Sequence, residues 1–218
     1  MANTSSYILR YFDLPGLAET SRTLLNFVGA QWAEEHPEWP ATKGKQPFGR
    51  LPVLVEKDAS GNVIFELSES VAVERYILRT FGLLPTDAKA AARQEQLRDQ
   101  FTDILLSIVY YDGAEDADKA KRKENAVALI KTAVSAYSKL LRENGSNGHF
   151  IGSNTTYVDI AFYNLVSFIR ANSKENDDGF ASLLSVENAP EFEKVIAAVE
   201  ADSALQSHFA TRQKMAIA

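Results

Sequence analysis

Two different hydrophobic patterns occupy this chain, and the change between them falls at Gly82-Leu83-Leu84-Pro85. Ahead of it, SYILRYF (6–12) has the character of a short strand. LAETSRTLLNFV (17–28) follows as a helix whose Ala18, Leu24, Leu25 and Val28 can share a buried side, with Gly29 as a stop. Residues 30–50 are irregular and rich in Trp, Pro, Gly and Lys. LPVLVE (51–56) and NVIFE (62–66) read as two strands joined by the turn formers KDASG, and SESVAVERYILRTF (68–81) returns to helix. Beyond the boundary strand signals nearly vanish. Helical patterns cover 88–111, 117–144 and 156–172, with shorter ones at 179–186 and 190–201. Strands interleaved with helices indicate an α/β layer, and several amphipathic helices can bury their faces on one another without a sheet. The expected organisation is an α/β domain at 1–83, a linker at 84–88 and an all-helical domain at 89–218.

Composition narrows the chemistry. Cysteine is absent, so there are no disulfides, thiolate ligands or protein thiol nucleophiles, and thiol chemistry has to arrive with a ligand. The three histidines, His36, His149 and His208, form no ligand pair, so no metal is expected. The net charge of −6 comes without a basic stripe, and the run holding the lysines at 119, 121 and 123 is flanked by acids and reads as a solvated helix face, which argues against nucleic-acid binding. No apolar run is long enough to span a bilayer, and MANTSSYILRYF lacks the basic-then-apolar layout of a secretory signal. A cytoplasmic location is the expectation.

The motifs, taken in order, are Tyr11-Phe12 with Gly16-x-Ala18-Glu19, Trp39 and Lys43, PFGRLPVL (47–54), SES (68–70), Arg98-Asp99 and TTYVD (155–159). None decides alone. Their sequence across an α/β-then-helical chain resembles the cytosolic glutathione transferases, closest to the sigma-like, tyrosine-type members. That resemblance implies a thioredoxin-like α/β N-terminal domain, an all-helical C-terminal domain and a two-fold homodimer. It further implies glutathione as co-substrate, a hydrophobic electrophile as its partner and a role in detoxification.

The resemblance also assigns roles residue by residue. Pro52 would follow a cis bond, leaving the Leu51 backbone to pair with the cysteinyl part of glutathione; by itself it is a strand-start proline. Arg50 stands where many relatives carry glutamine. Glu69 and Ser70 would hold the γ-glutamyl end, the serine at its carboxylate and the glutamate at its ammonium. Without the resemblance the segment is a capped helix with Ser68 as N-cap. Trp39 would offer its indole N–H, with Trp32 as competitor, and Lys43 would meet the glycyl carboxylate. Asp99 would reach the glutamyl ammonium from the partner subunit. Thr156 and Asp159 form a variant capping box that serves folding.

Tyr11 is the implied catalyst. A free thiol with a pKa of about 8.5 is mostly protonated at neutral pH, and a neutral phenol can stabilise the thiolate by donating one charge-assisted hydrogen bond. Tyr7 lies on the same side of the strand by two-residue alternation, so strand-end position and the following Phe12…Gly16 motif favour Tyr11. Leu17 replaces an arginine found in many relatives. Phe12, Leu14, Ile108 and Tyr111 are the expected lining of an electrophile pocket between the domains. A glutathione-dependent isomerase or peroxidase, and a non-catalytic protein-binding scaffold of the same fold, remain as alternatives.

Overall fold

The structure, a computed structural model, describes the backbone of residues 4–176 and 179–216. Its four described strands and first two helices follow the α/β pattern. Strand β1 (Ser6–Arg10) runs into helix α1 (Glu19–Phe27) and returns as β2 (Gln31–Glu35), parallel to β1. A helical crossover is the usual way to join two parallel neighbours. β3 (Val53–Lys57) and β4 (Val63–Ser68) add an antiparallel hairpin, and α2 (Ser70–Thr80) closes the unit. The sheet order is β2-β1-β3-β4. Tyr7 and Leu9 alternate into the core from β1, Val53, Leu54 and Val55 are buried throughout, and α1 and α2 supply Leu24, Leu25, Val73, Ile77 and Leu78. Arg10 crosses the sheet surface, pairing with Glu35 on β2 at 3.0 Å and with Glu66 on β4 at 2.9 Å.

Three local expectations change. The first strand ends at Arg10 rather than at residue 12, so Tyr11 already belongs to the turn. The irregular stretch contains β2, an edge strand whose QWAEE sequence is only partly covered. Ser68 is not the N-cap of α2, because β4 extends to it. Glu69 occupies the cap position at φ +73° with no side-chain cap bond. Ser68 instead donates its hydroxyl to the Pro47 carbonyl at 3.4 Å. The Leu51-Pro52 bond is cis, as is Trp39-Pro40.

A second compact unit spans 86–202, and the described residues from 203 onward group with 4–85. The second unit contains α3 (Ala88–Asp112), α4 (Asp116–Glu143), α5 (Tyr157–Asn176), α6 (Phe180–Leu183) and α7 (Pro190–Ala201). Its core is aromatic. Phe162 sits 4.7 Å from Phe192 and 5.0 Å from Phe150, centroid to centroid, and Tyr137 meets Phe101 edge-on at 5.3 Å. Such tilted and edge-on contacts suit the ring quadrupole. The Asp159 carboxylate accepts the Thr156 amide at 2.8 Å, the Thr156 hydroxyl at 2.7 Å and the Phe150 amide at 2.8 Å. It therefore ties the preceding loop to α5 as well as serving its start. The last helix, α8 (Gln206–Ala216), belongs with the first unit, although the helical domain was expected to run to residue 218.

Candidate active site

Register defines where the α/β unit can hold a ligand. Glu35, Arg10, Val53 and Ser68 form one cross-strand row at the end of the sheet. Immediately beyond that row come Tyr11 after β1, Leu51-Pro52 before β3, and Glu69-Ser70 after β4. The first amides of α2 lie at the same end, where unsatisfied N–H groups and the helix dipole favour an anion. The backbone at Glu69 has a positive φ without being glycine, a conformation enriched at functional sites because surrounding structure has to enforce it.

Tyr11 is the most tightly built of these groups. Its amide donates to the Glu35 carbonyl at 3.1 Å, and the His36 Nδ1–H donates to the Tyr11 carbonyl at 3.0 Å. Its side chain is 6% exposed, and its hydroxyl accepts the Leu17 amide at 3.1 Å. The phenolic proton is thereby left to be donated elsewhere. Burial pushes the phenol pKa up, against the opposing pull of the Leu17 N–H and the Arg22 charge. Tyr11 is accordingly a neutral donor across the physiological range. Gly16 leaves room for it: at φ +43°, an added Cβ would lie 2.6 Å from the Tyr11 hydroxyl oxygen.

Arg22 is a buried residue beside Tyr11 that sequence reasoning missed. It is 1% exposed and lies 5.6 Å from the Tyr11 ring centroid. Its guanidinium donates to the carbonyls of Phe12 (3.0 Å), Leu14 (2.9 Å) and Pro15 (3.0 Å), and to Glu19 (3.1 Å) and Glu34 (2.8 Å). One side chain thus pins three carbonyls of the turn between Tyr11 and Leu17. A signal was present: Ala18, Ser21, Arg22 and Leu25 recur at helical spacing and are all buried, so Arg22 stands on the core face of α1.

The other expected residues are distributed as follows. Phe12 lies edge-on to both Tyr11 (5.2 Å) and Trp39 (5.5 Å), so these three rings form one cluster; Leu14 is exposed. Lys43 is exposed on a 3-10 turn (Lys43–Lys45), and Leu51 precedes the β3 ladder. Ser70 is the first, buried residue of α2. Asp99 is exposed on α3. On the same helix Ile108 is fully buried and Tyr111 packs on Phe180 at 5.3 Å, whereas Val109 and Tyr110 are exposed. Tyr7 packs against Phe81 in the core. Tyr76 donates its hydroxyl to Glu56, and burial together with that carboxylate pushes its pKa up to about 12. Among the described residues, no group of three His, Asp or Glu side chains suits a metal, and no helix is long and apolar enough to cross a membrane.

Residues 99–212 match the family model described as glutathione S-transferase, C-terminal domain. Glutathione S-transferase 1 of Ascaris suum is 33% identical over 162 residues, covering 71% of this chain and 75% of that protein. Glutathione S-transferase 3 of Caenorhabditis elegans is 30% identical over 183 residues, covering 78% and 85%. The solved glutathione S-transferase of Ascaris lumbricoides superposes with a TM-score of 0.74 at 26% identity, over 95% of this chain and 97% of that one. With a thioredoxin-like α/β unit, a helical unit and these matches, the chain belongs to the cytosolic glutathione S-transferase family, enzymes that use glutathione as co-substrate.

Proposed function

We propose that Tyr11 activates the glutathione thiol for attack on hydrophobic electrophiles. The observation that carries this is the Leu17 amide on the Tyr11 hydroxyl: the oxygen's acceptor role is met internally, and its own proton is free to face sulfur. The thiol proton leaves to solvent, Tyr11 donates to the resulting thiolate, and sulfur forms a bond to the electrophilic carbon as its leaving group departs. The tyrosine remains neutral throughout. Each unit by which the thiol pKa falls corresponds to about 1.4 kcal/mol of preferential thiolate stabilisation.

Around that sulfur, the proposed contacts are the Leu51 backbone beside Pro52 for the cysteinyl residue and Ser70 with the α2 amides for the γ-glutamyl carboxylate. Glu69, with Asp99 of a partner subunit, takes the ammonium, and Trp39 and Lys43 take the glycyl end. Phe12 and Leu14 supply apolar surface for the electrophile, whereas Ile108 and Tyr111, expected beside them, are buried within the helical unit. A homodimer is proposed on the same basis. What supports it is an exposed apolar surface on the α/β unit: Phe48, 81% exposed at φ +55°, with Val63, Ile64 and Phe65 along the edge strand β4. The location is proposed to be cytoplasmic.

The deciding experiment is a spectroscopic titration of the bound thiolate in the unmodified enzyme and in Tyr11→Phe, with steady-state conjugation to an activated aryl halide. Tyr11→Phe should bind glutathione, titrate at higher pH and turn over more slowly near neutral pH. An unchanged titration removes Tyr11 from the chemistry. Absence of turnover across a broad electrophile panel in folded protein would favour the protein-binding scaffold, and glutathione-dependent turnover of peroxides or isomerisable substrates alone would favour those reactions.

A further inference from the structure

We infer that the C-terminal helix α8 positions the Tyr11 turn through His208, a link that rests on the reading of Tyr11 above. His208 is 5% exposed and reaches α1 from far along the chain. Its tautomer follows from its neighbours. The Thr23 hydroxyl donates to the Glu19 carbonyl at 2.9 Å, so toward His208 Nε2, 3.2 Å away, it has only acceptor capacity left. The Asn26 amide group has two hydrogens. One goes to the Arg22 carbonyl at 2.8 Å and the other to His208 Nδ1 at 3.2 Å. The imidazole is therefore neutral, protonated on Nε2, with both nitrogens engaged.

From that ring a polar chain runs to the catalytic turn. His208 Nε2 lies 3.6 Å from one oxygen of Glu19, whose other oxygen accepts from Arg22 at 3.1 Å. Arg22 holds the carbonyls of Phe12, Leu14 and Pro15, and the next residues present the Leu17 amide to Tyr11. The hydrogen-bonded part of the link runs through α1: His208 holds Thr23 and Asn26, whose side chains in turn bond the carbonyls of Glu19 and Arg22, the two residues that brace the turn. His208 is a positioning residue, contributed by the end of the chain furthest from Tyr11 in sequence.

A helix anchor with no functional link would lower stability and leave the turn alone. The test separates the two. His208→Ala and Thr23→Val are compared with His208→Gln, which restores a donor toward Thr23. The measurements are thermal unfolding, hydrogen exchange of the Leu17 amide, the titration of glutathione thiol bound to the enzyme, and kcat against KM for glutathione. Both disrupting variants should accelerate Leu17 exchange and lower kcat by about two- to thirtyfold, the range of mutations along a coupling network. KM for glutathione should change much less, the bound thiol should titrate at higher pH, and His208→Gln should recover part of each effect. Thr23→Val keeps the side-chain shape, so it informs even if His208→Ala fails to fold. Loss of thermal stability in folded variants, with Leu17 exchange and thiol titration unchanged, overturns the inference. Faster Leu17 exchange with an unchanged thiol titration upholds the link between α8 and the turn and overturns the Tyr11 reading instead.

Discussion

The Leu17 amide and the Tyr11 hydroxyl, 3.1 Å apart, close the turn that separates the first strand from the first helix. Gly16 sits inside that closure at φ +43°, where the Cβ of any other residue would meet the phenol oxygen at 2.6 Å and Leu14 Cδ1 at 2.9 Å. Gly16→Ala should therefore cost about 1–2 kcal/mol of stability for the left-handed backbone alone. It should also displace the Tyr11 hydroxyl, and conjugation near neutral pH should fall by tenfold or more. Denaturant unfolding and steady-state kinetics together check it. Turnover unchanged in Gly16→Ala would mean the hydroxyl needs no fixed seat.

Arg22→Lys retains the charge and loses the planar fork. A lysine has three donors on one nitrogen and cannot reach three carbonyls and two carboxylates at once. Hydrogen bonds to a charged group contribute roughly 1.5–3 kcal/mol each, so a loss of about 2–4 kcal/mol is expected by chemical denaturation. In the folded variant kcat should fall more than the affinity for glutathione. Equal loss in both would indicate general loosening of the unit.

The cap in the helical unit should separate stability from chemistry. Thr156→Ala is expected to cost about 1–2 kcal/mol. Asp159→Ala should cost more, since it leaves the amides of Phe150 and Thr156 and the Thr156 hydroxyl without their common acceptor. Turnover per folded molecule should stay within twofold in both variants. A Thr156→Ala enzyme of normal stability would contradict the capping role.

The pH dependence has a definite sign. Burial raises the Tyr11 pKa above its ordinary value of 10, so the folded state favours the neutral phenol. Its contribution to stability is fully present below pH 10 and is lost as pH rises through the folded-state pKa. Tyr76 behaves alike, with its loss falling between about pH 10 and 12. Between pH 6 and 9 neither tyrosine should titrate. The conjugation rate should rise with a single ionisation, that of the bound thiol, and an ultraviolet signal of tyrosinate in that range would refute the donor mechanism.

On the proposed dimer, Phe48→Ser should shift sedimentation from dimer toward monomer and weaken glutathione binding, since the contact proposed for the partner's Asp99 would be lost. A Phe48→Ser protein that sediments as the unmodified one does would place the interface elsewhere.

Much of the fold was legible because its elements carry strong patterns. β3 opens on the apolar run Val53-Leu54-Val55, and the long helices repeat their buried positions every three or four residues. β2 was hidden because an edge strand covered on one side has no need of apolar residues, and QWAEE supplies few. The start of α2 was misjudged because Ser68 is a good cap in isolation, while pairing with Val53 draws it into β4. α8 lacks an apolar stripe; its buried anchor is a histidine, whose partners are nearly the whole chain away. The Tyr11 motif was readable, whereas the Arg22 network was not, since three of its five acceptors are backbone carbonyls that any sequence carries.

The end row of the sheet acts as a measuring rod. Tyr11 and Ser70 emerge beyond β1 and β4, two inter-strand spacings apart, which is roughly 10 Å. On the proposed reading one end meets sulfur and the other the γ-glutamyl carboxylate, so the enzyme selects its thiol by span. Cysteinylglycine carries the same sulfur without the γ-glutamyl arm and reaches only one end of the rod. Its kcat/KM should fall by a hundredfold or more relative to glutathione, because the missing contacts correspond to about 3 kcal/mol or more of binding energy. Comparable kcat/KM values for the two thiols would show that the spacing exerts no selection.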